Sequence, residues 1–247
     1  MIKFLSLGSG SKGNATLVYD EKTVLLFDMG LALKVLEEGL SQIGRKLSDI
    51  QAVFVTHDHS DHIKGLQYLH DVDIYCSPKT KGGNKIQEVG ETIEIGDFKV
   101  TSFPTSHDTE NPVGYWIENR GTTFCYITDT GILKKTLIKK LRNATYYLLE
   151  CNHDLKMLED SNRPQLLKER ISGRKGHLSN IQSAEASIDL MGENTKVFYL
   201  AHRSEECNTE ECMLSTYASI YEQYGIPLSA VKIVILKQWE FVGGGDE

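Results

Sequence analysis

Short apolar, β-branched runs recur along the chain and are separated by segments with helical periodicity. The runs predict strands. Examples are IKFLSL, TVLLFD, AVFVTH, VDIYC, FKVTSF, TTFCYITD, TYYLLE, KVFYLAH and VKIVIL. Two sets of apolar residues recur at helical spacing: Leu33, Leu36, Leu40 and Ile43, then Ile181, Ala184, Ile188 and Met191. Ser179 and Gln182 predict a capping box at the start of the second helix. The pattern indicates one α/β domain over residues 1–247, with helices packed on sheet faces.

Titratable residues lie where several of the predicted strands end. They are His57, His107, Asp129, Glu150 and His202. Functional sites in α/β proteins are commonly built from residues at the edge where strands end. We therefore expect these five strand ends to meet in one shared site.

Composition limits the classes of protein to which the chain can belong. No apolar run approaches the roughly 20 residues that span a bilayer, and the N-terminal stretch lacks a signal-peptide pattern, so we expect no membrane association and a cytoplasmic location. The five cysteines form no CxxC pair, which disfavours a disulfide framework or a cysteine-based zinc site. The net charge of −7 weighs against a bulk electrostatic hold on nucleic acid.

Two local basic groups remain within this acidic chain. They are Lys134, Lys135, Lys139 and Lys140, followed by Arg163, Lys168, Arg170, Arg174 and Lys175. Charge runs of this kind are most often the solvated face of a helix. The second group is also a candidate surface for a nucleic-acid backbone.

The stretch VFVTHDHSDHIKGL, residues 53–66, concentrates titratable side chains directly after an apolar run. These side chains are His57, Asp58, His59, Asp61 and His62. Imidazole and carboxylate groups are the ligands that Zn²⁺ and similar divalent ions prefer. The alternative is a solvated turn that opens a helix, with Asp58 or Asp61 as its cap. The density of histidines favours a metal site.

This stretch resembles the metal-binding motif of the metallo-β-lactamase-fold hydrolases. PTSHD at His107, ITDTG at Asp129 and LAHRS at His202 follow in the order found in that superfamily. Longer blocks, LSLGSGSKGNATLV, NPVGYW, LLECNHD, SGRKGHLSN and AHRSEECNTEE, are similar to the WalJ/YycJ group of bacterial members. The resemblance covers about residues 1–235. The chain departs from the group at Asn111, where an acidic residue is expected, and around Arg203.

The resemblance implies a four-layer αββα sandwich that holds two divalent metal ions. The implied ligands are His57, His59 and His107 for one ion, Asp61, His62 and His202 for the other, and Asp129 as a bridge. Histidine-rich ligation favours zinc, whereas the carboxylates also admit manganese or iron. A metal-bridged hydroxide would be the nucleophile, and Asp61 could orient it or take its proton. Asp58 would either hold a ligand histidine or cap a turn.

Three further blocks carry candidate substrate residues. GSGSKGN, with Ser11 and Asn14, follows a strand and is either a phosphate cradle or a tight turn. ECNHD and GRKGHLSN supply the candidates Asn152, His153, Arg174, His177 and Asn180. The second block opens a helix, where anions bind well. His153 and His177 are predicted to be catalytic, with structural helix-end histidines as the alternative.

Three functions compete at this point. The first is a metal-dependent phosphodiesterase acting on nucleic acid, because the WalJ/YycJ group is associated with 5′-to-3′ DNA exonuclease activity. The second is a small-molecule hydrolase acting on a cyclic phosphodiester, thioester or lactone, since one fold supports many chemistries. The third, a metal-stabilised binding module, is disfavoured because structural sites are usually saturated by protein ligands. The sequence yields no prediction of the oligomeric state.

Overall fold

A computed structural model describes residues 1–246 of the chain. The strands are β1 (Lys3–Gly8), β2 (Ala15–Tyr19), β3 (Val24–Phe27), β4 (Ile50–Val55), β5 (Asp73–Cys76), β6 (Lys85–Ile86), β7 (Thr92–Ile95), β8 (Phe98–Pro104), β9 (Val113–Asn119), β10 (Thr122–Ile127), β11 (Tyr146–Glu150), β12 (Val197–Ala201), β13 (Lys232–Ile235) and β14 (Val242–Gly245). The helices are α1 (Leu33–Gln42), α2 (Ser60–Ile63), α3 (Lys135–Leu141), α4 (Leu155–Asp160), α5 (Gln165–Ser172), α6 (Asn180–Leu190) and α7 (Glu210–Gln223).

The described chain divides into two compact units. Unit 1 comprises Met1–Pro104, Thr109–Thr123 and the described residues from Leu236 onward, whereas unit 2 comprises Thr105–Asp108 and Phe124–Ile235. The single domain expected over residues 1–247 therefore stays a prediction. No helix in the described part of the chain is long and apolar enough to cross a membrane.

Unit 1 contains a mixed sheet with the strand order β14-β1-β2-β3-β4-β5-β6. Its first strands pair antiparallel, whereas β3, β4, β5 and β6 pair in parallel. The continuous apolar run of β4 is fully buried from Ala52 to Val55, as expected for a strand covered on both faces. Leu36 and Leu40 of α1 join this core and Ile43 packs against it, so the predicted helical stripe is confirmed at these three residues. The unit also holds the antiparallel set β7-β8-β9.

Unit 2 contains the parallel strands β10, β11, β12 and β13. Two serine–tyrosine pairs join α6 to α7, because the hydroxyls of Ser183 and Tyr217 lie 2.8 Å apart and those of Ser187 and Tyr221 also 2.8 Å apart. The predicted capping box at Ser179 is present. Parallel pairing brings the carboxyl ends of β10, β11 and β12 to one edge of the sheet.

Each of the apolar runs named above contains a strand, and five further strands lie outside these runs. These are β2, β6, β7, β9 and β14. β14 is Val242 followed by glycines, which have no side chains to form a pattern, and β6 has only two residues. These strands form because they hydrogen-bond to neighbouring strands, and their own residues show no clear strand pattern.

Candidate metal centre

Three histidines of unit 1 gather after β4. The ring centroid of His57 lies 4.6 Å from that of His59 and 4.1 Å from that of His62. His59 is the N-cap residue of α2, so neither Asp58 nor Asp61 occupies the capping position. The Oγ1 of Thr109 donates a hydrogen bond of 2.6 Å to Asp58 Oδ1. This hydrogen bond joins Asp58 to a threonine hydroxyl, whereas the predicted partner was a ligand histidine.

A buried network below these rings orients two of the histidines. The Oδ2 of Asp28 lies 2.8 Å from His62 Nδ1, and the hydroxyl of Thr56 donates to both oxygens of Asp28 at 3.0 Å. Thr56 Oγ1 also lies 3.0 Å from His57 Nδ1. Sequence reasoning missed Asp28 and Thr56. The signal was present, since Asp28 is the polar last residue of the apolar run TVLLFD and Thr56 directly precedes the histidines.

The Gly-rich loop between β1 and β2 contacts Asp61 and His62. The backbone N–H of Asn14 donates to the carbonyl oxygen of Asp61 at 2.8 Å. The side-chain Nδ2 of Asn14 lies 3.0 Å from His62 Nε2 and 3.4 Å from Asp61 Oδ2. A Cβ on Gly30 would meet the Asp61 carbonyl oxygen at 1.5 Å, so only glycine allows this close approach.

In unit 2, Asp129 lies between two of the predicted ligand histidines. Its Oδ1 is 3.6 Å from His107 Nε2 and 3.6 Å from His202 Nε2. Asp129 and His202 have φ of 52° and 54°, a left-handed conformation that is uncommon outside glycine and concentrates at functional sites. One carboxylate oxygen therefore lies at the same distance from the Nε2 atoms of both histidines.

Glu150, at the end of β11, holds two histidines at once. Its Oε1 lies 2.7 Å from His177 Nδ1 and 3.1 Å from His202 Nδ1. Its Oε2 accepts backbone N–H bonds from Thr130 and Leu178. Burial alone would raise the pKa of this carboxyl, but the charge and hydrogen bond of His177, with the hydrogen bond of His202, lower it to about 2. Glu150 therefore stays ionised and fixes both rings.

His107 is positioned by the loop before α6. Its Nδ1 lies 3.0 Å from the carbonyl oxygen of Gly176. Burial lowers the pKa of His107, which favours the neutral imidazole that binds metals.

The residues present fit divalent ions. His57, His62, His107 and His202 each have Nδ1 held by a hydroxyl, carboxylate or carbonyl oxygen, which is how ligand histidines are oriented so that Nε2 meets an ion. Within unit 2 alone, Asp129, Glu150, His177 and His202 offer ligand atoms within 4.8 Å of one another. Imidazole with carboxylate is a donor set for zinc and related metals.

The predicted substrate residues differ in exposure. Ser11 and Arg174 are exposed, whereas Asn14, Asn152 and Asn180 are buried. Asn152 Nδ2 donates to the His202 carbonyl oxygen at 2.7 Å, and Asn180 exchanges hydrogen bonds with Asn208. These bonds support the loops that carry the histidines. A direct role in substrate binding stays a prediction for all five.

The two candidate catalytic histidines lie in different surroundings. His177 is partly exposed, with 17% of its side chain accessible, so it can meet a substrate. His153 is fully buried, and within residues 1–246 neither of its ring nitrogens has a hydrogen-bond partner. Burial lowers the pKa of His153 to about 4.

Much of the second basic group is already paired. Arg163 lies 3.0 Å from Glu206, Arg170 pairs with Asp108, and Lys168 donates to the carbonyl oxygen of Glu159. These contacts reduce its value as a surface for phosphates, whereas Arg174 and Lys175 are exposed.

Comparison with known proteins decides the family. Residues 25–202 match the model of the beta-lactamase superfamily domain. The chain belongs to this superfamily. Two curated members are similar over most of their length: exodeoxyribonuclease WalJ of Streptococcus pneumoniae is 37% identical over 226 residues, covering 85% of this chain and 84% of that protein. Exodeoxyribonuclease YycJ of Bacillus anthracis is 34% identical over 239 residues, covering 91% and 90%.

A solved structure confirms the superfamily fold. The metallo-β-lactamase-fold protein YhfI from Bacillus subtilis superposes with a TM-score of 0.73 at 15% identity, covering 99% of this chain and 100% of that one. The predicted αββα metallo-β-lactamase class is therefore confirmed, as is membership of the WalJ/YycJ group. The chain is an enzyme of a hydrolase family.

Proposed function

We propose that the chain is a dinuclear-metal-dependent phosphodiesterase that degrades DNA from a 5′ end. The observation that carries the metal chemistry is the Asp129 carboxylate, whose Oδ1 is 3.6 Å from both His107 and His202. The names of the two curated relatives, both exodeoxyribonucleases, support DNA as the substrate. Their identity to this chain extends over most of its length.

The proposed ligands follow the order of the superfamily motif. His57, His59 and His107 would hold one ion, Asp61, His62 and His202 the other, and Asp129 both. When bound, the ions would supply Lewis acidity and lower the pKa of a coordinated water. Zinc is proposed first for a set rich in histidine, with manganese or iron as alternatives.

The chain's own residues orient the ligands and handle protons. Asp28 and Glu150 accept from the Nδ1 atoms of His62 and His202, which fixes each ring with Nε2 as the ligand atom. Asp61, partly exposed, is proposed to orient the attacking water or accept its proton.

His177 is proposed as the general acid. Its Nδ1 donates to the ionised Glu150, so the ring acts as an acid in its imidazolium form, in which Nε2 carries the second proton. When the P–O bond to the 3′ oxygen breaks, that proton moves to the departing oxygen. Arg174, three residues earlier and exposed, is proposed to attract the phosphate charge.

The test uses the metal-loaded full chain and linear DNA that carries a label at either the 5′ or the 3′ end. We expect mononucleotides to appear first from the 5′-labelled end, and a circular DNA to stay intact. Asp129→Asn should lose cleavage by at least about 100-fold, since it removes charge at the centre of electrostatic stabilisation.

The matched control is Asp189→Asn, which changes an exposed aspartate on α6. It should cleave DNA at the wild-type rate. Intact DNA with the wild-type protein, or equal cleavage by Asp129→Asn, would contradict the proposed function. If lactones, thioesters or cyclic phosphodiesters are hydrolysed instead, the chain is a small-molecule hydrolase.

A further inference from the structure

Trp239 is a large apolar side chain on the surface of unit 1, with 67% of the residue exposed. A single exposed apolar residue is ordinary in a soluble protein, so exposure alone carries no argument. The surroundings of Trp239 are less ordinary. Trp239 follows Lys237 and Gln238 in the segment between β13 and β14. This segment is hydrogen-bonded to the Gly-rich loop of residues 8–14.

The contacts between the two segments are specific. The side-chain Oε1 of Gln238 accepts from the backbone N–H of Lys12 at 3.0 Å, and its Nε2 donates to the carbonyl oxygen of Gly13 at 2.9 Å. The carbonyl oxygen of Lys237 accepts from the backbone N–H of Ser9 at 3.0 Å. Gln238 is only 5% exposed. The residue next to Trp239 is therefore anchored, so the backbone that carries the indole is fixed before any ligand arrives.

The same loop leads directly to residues proposed to bind metal. Asn14 lies two residues after Lys12, which limits their Cα separation to about 7 Å. Its amide nitrogen is 3.0 Å from His62 Nε2, and its backbone N–H donates to the Asp61 carbonyl oxygen. Trp239 thus stands beside the loop whose far end contacts Asp61 and His62.

Three lysines belong to these two segments or contact them. Lys64 Nζ donates to the carbonyl oxygen of Lys12 at 2.6 Å, so the Lys64 ammonium lies at the backbone from which the Lys12 side chain extends, and both residues are exposed. Lys237 is offset in part by Glu240, at 3.0 Å. A net positive cluster next to an exposed aromatic ring stands out on a chain of net charge −7. Surfaces that bind single-stranded nucleic acid combine these two features, since lysines meet phosphates and aromatic faces stack on bases.

We propose that Trp239 stacks on a base of the DNA strand, while Lys12, Lys64 and Lys237 contact the adjacent phosphates. We call these four residues the Trp239 platform. The inference rests on the proposed function for its substrate class. The platform would hold the strand beside the Gly-rich loop and so deliver it towards Asp61 and His62.

Intrinsic fluorescence tests the stacking directly. The chain has two tryptophans, Trp116 and Trp239, so a Trp239 signal is obtained by comparison with Trp239→Phe. The probe is a single-stranded oligothymidylate of about ten nucleotides with phosphorothioate linkages, which resist cleavage. We expect it to quench the fluorescence of the metal-loaded wild-type protein, and to quench Trp239→Phe much less.

Affinity, read by anisotropy of the labelled oligonucleotide, should respond in a graded way. Trp239→Ala should weaken binding by about 5-fold to 150-fold, the range that one stacked base provides, whereas Trp239→Phe should retain most of the affinity. An abasic strand of the same length should bind wild type and Trp239→Ala equally. Tyr224→Ala, which removes another exposed aromatic side chain at the end of α7, is the matched control and should bind as wild type.

The outcomes separate the platform from the proposed function. The platform is refuted if Trp239→Ala binds the base-bearing strand as tightly as wild type does. It is also refuted if the substitution weakens binding of the abasic strand as much as binding of the base-bearing strand. If wild type cleaves no DNA but shows the quench and the base-dependent loss, the proposed nuclease fails while the platform stands. Equal circular dichroism and melting temperature of Trp239→Ala and wild type establish that the variant is folded.

Discussion

The carboxylate of Asp28 lies 2.8 Å from Nδ1 of His62, and both side chains are fully buried. A carboxylate in this position fixes the tautomer of a ligand histidine and raises its basicity. Asp28 itself sits at φ 56° directly after β3, a conformation that costs on the order of 1–3 kcal/mol in a residue other than glycine. The fold retains this unfavourable backbone conformation at the residue that orients His62.

Asp28→Asn should therefore weaken metal binding. Substitutions at such supporting residues typically lower metal affinity by about 10-fold to 100-fold. Zinc affinity would be measured by competition with a chromophoric chelator, and bound metal by elemental analysis after dialysis. Asp49→Asn alters an aspartate outside the buried network and serves as the control. Unchanged zinc affinity in Asp28→Asn would show that the Asp28–His62 contact does not support a ligand.

His153 predicts a dependence of stability on pH. Burial lowers its pKa to about 4 from an ordinary value of 6.5, so the folded state resists a proton that the unfolded state accepts. The contribution to the free energy of unfolding is fully present above pH 6.5, is lost as pH falls from 6.5 to 4, and levels off below pH 4. The loss is on the order of 3 kcal/mol.

Replacing His153 by phenylalanine removes this titration. Urea unfolding between pH 8 and pH 4 should show a shallower loss of stability in His153→Phe than in wild type. His70→Phe changes an exposed histidine and should keep the wild-type slope. At pH 8 the variant should stay close to wild type in stability, because the structure gives the ring nitrogens no hydrogen bond to lose within residues 1–246. An identical pH slope in His153→Phe and wild type would contradict the buried neutral histidine.

Sequence spacing could predict part of this site. His57, His59 and His62 lie within six positions, so their clustering follows from local chain geometry after a strand. Asp28 is 34 residues from His62, and only the parallel pairing of β3 with β4 brings the ends of the two strands together. Strand pairing cannot be read from a single sequence, and the supporting carboxylate of Asp28 was missed for this reason.

Glu150 is a residue that the sequence predicts correctly at a strand end, but whose partners it does not predict. It was predicted at a strand end, but the sequence could not show that one carboxylate serves His177 and His202, which lie 27 and 52 residues away. The strands β11 and β12 are parallel neighbours with Glu150 paired to Ala201, so His202 comes directly after the end of the adjacent strand. The tertiary pairing, rather than residue type, produces the double contact.

Glu150→Gln should therefore impair both stability and catalysis. The amide is neutral, and its NH₂ group faces either a histidine Nδ1 or one of the backbone N–H donors of Thr130 and Leu178. Breaking a buried charged network from one side costs about 3–5 kcal/mol, measurable by urea unfolding at pH 7. With His177 no longer oriented, kcat for DNA cleavage should fall by about 100-fold or more. Glu185→Gln, which changes an exposed glutamate on α6, should alter neither quantity. Wild-type kcat in a folded, metal-loaded Glu150→Gln protein would remove the Glu150–His177 pair from the proposed proton transfer.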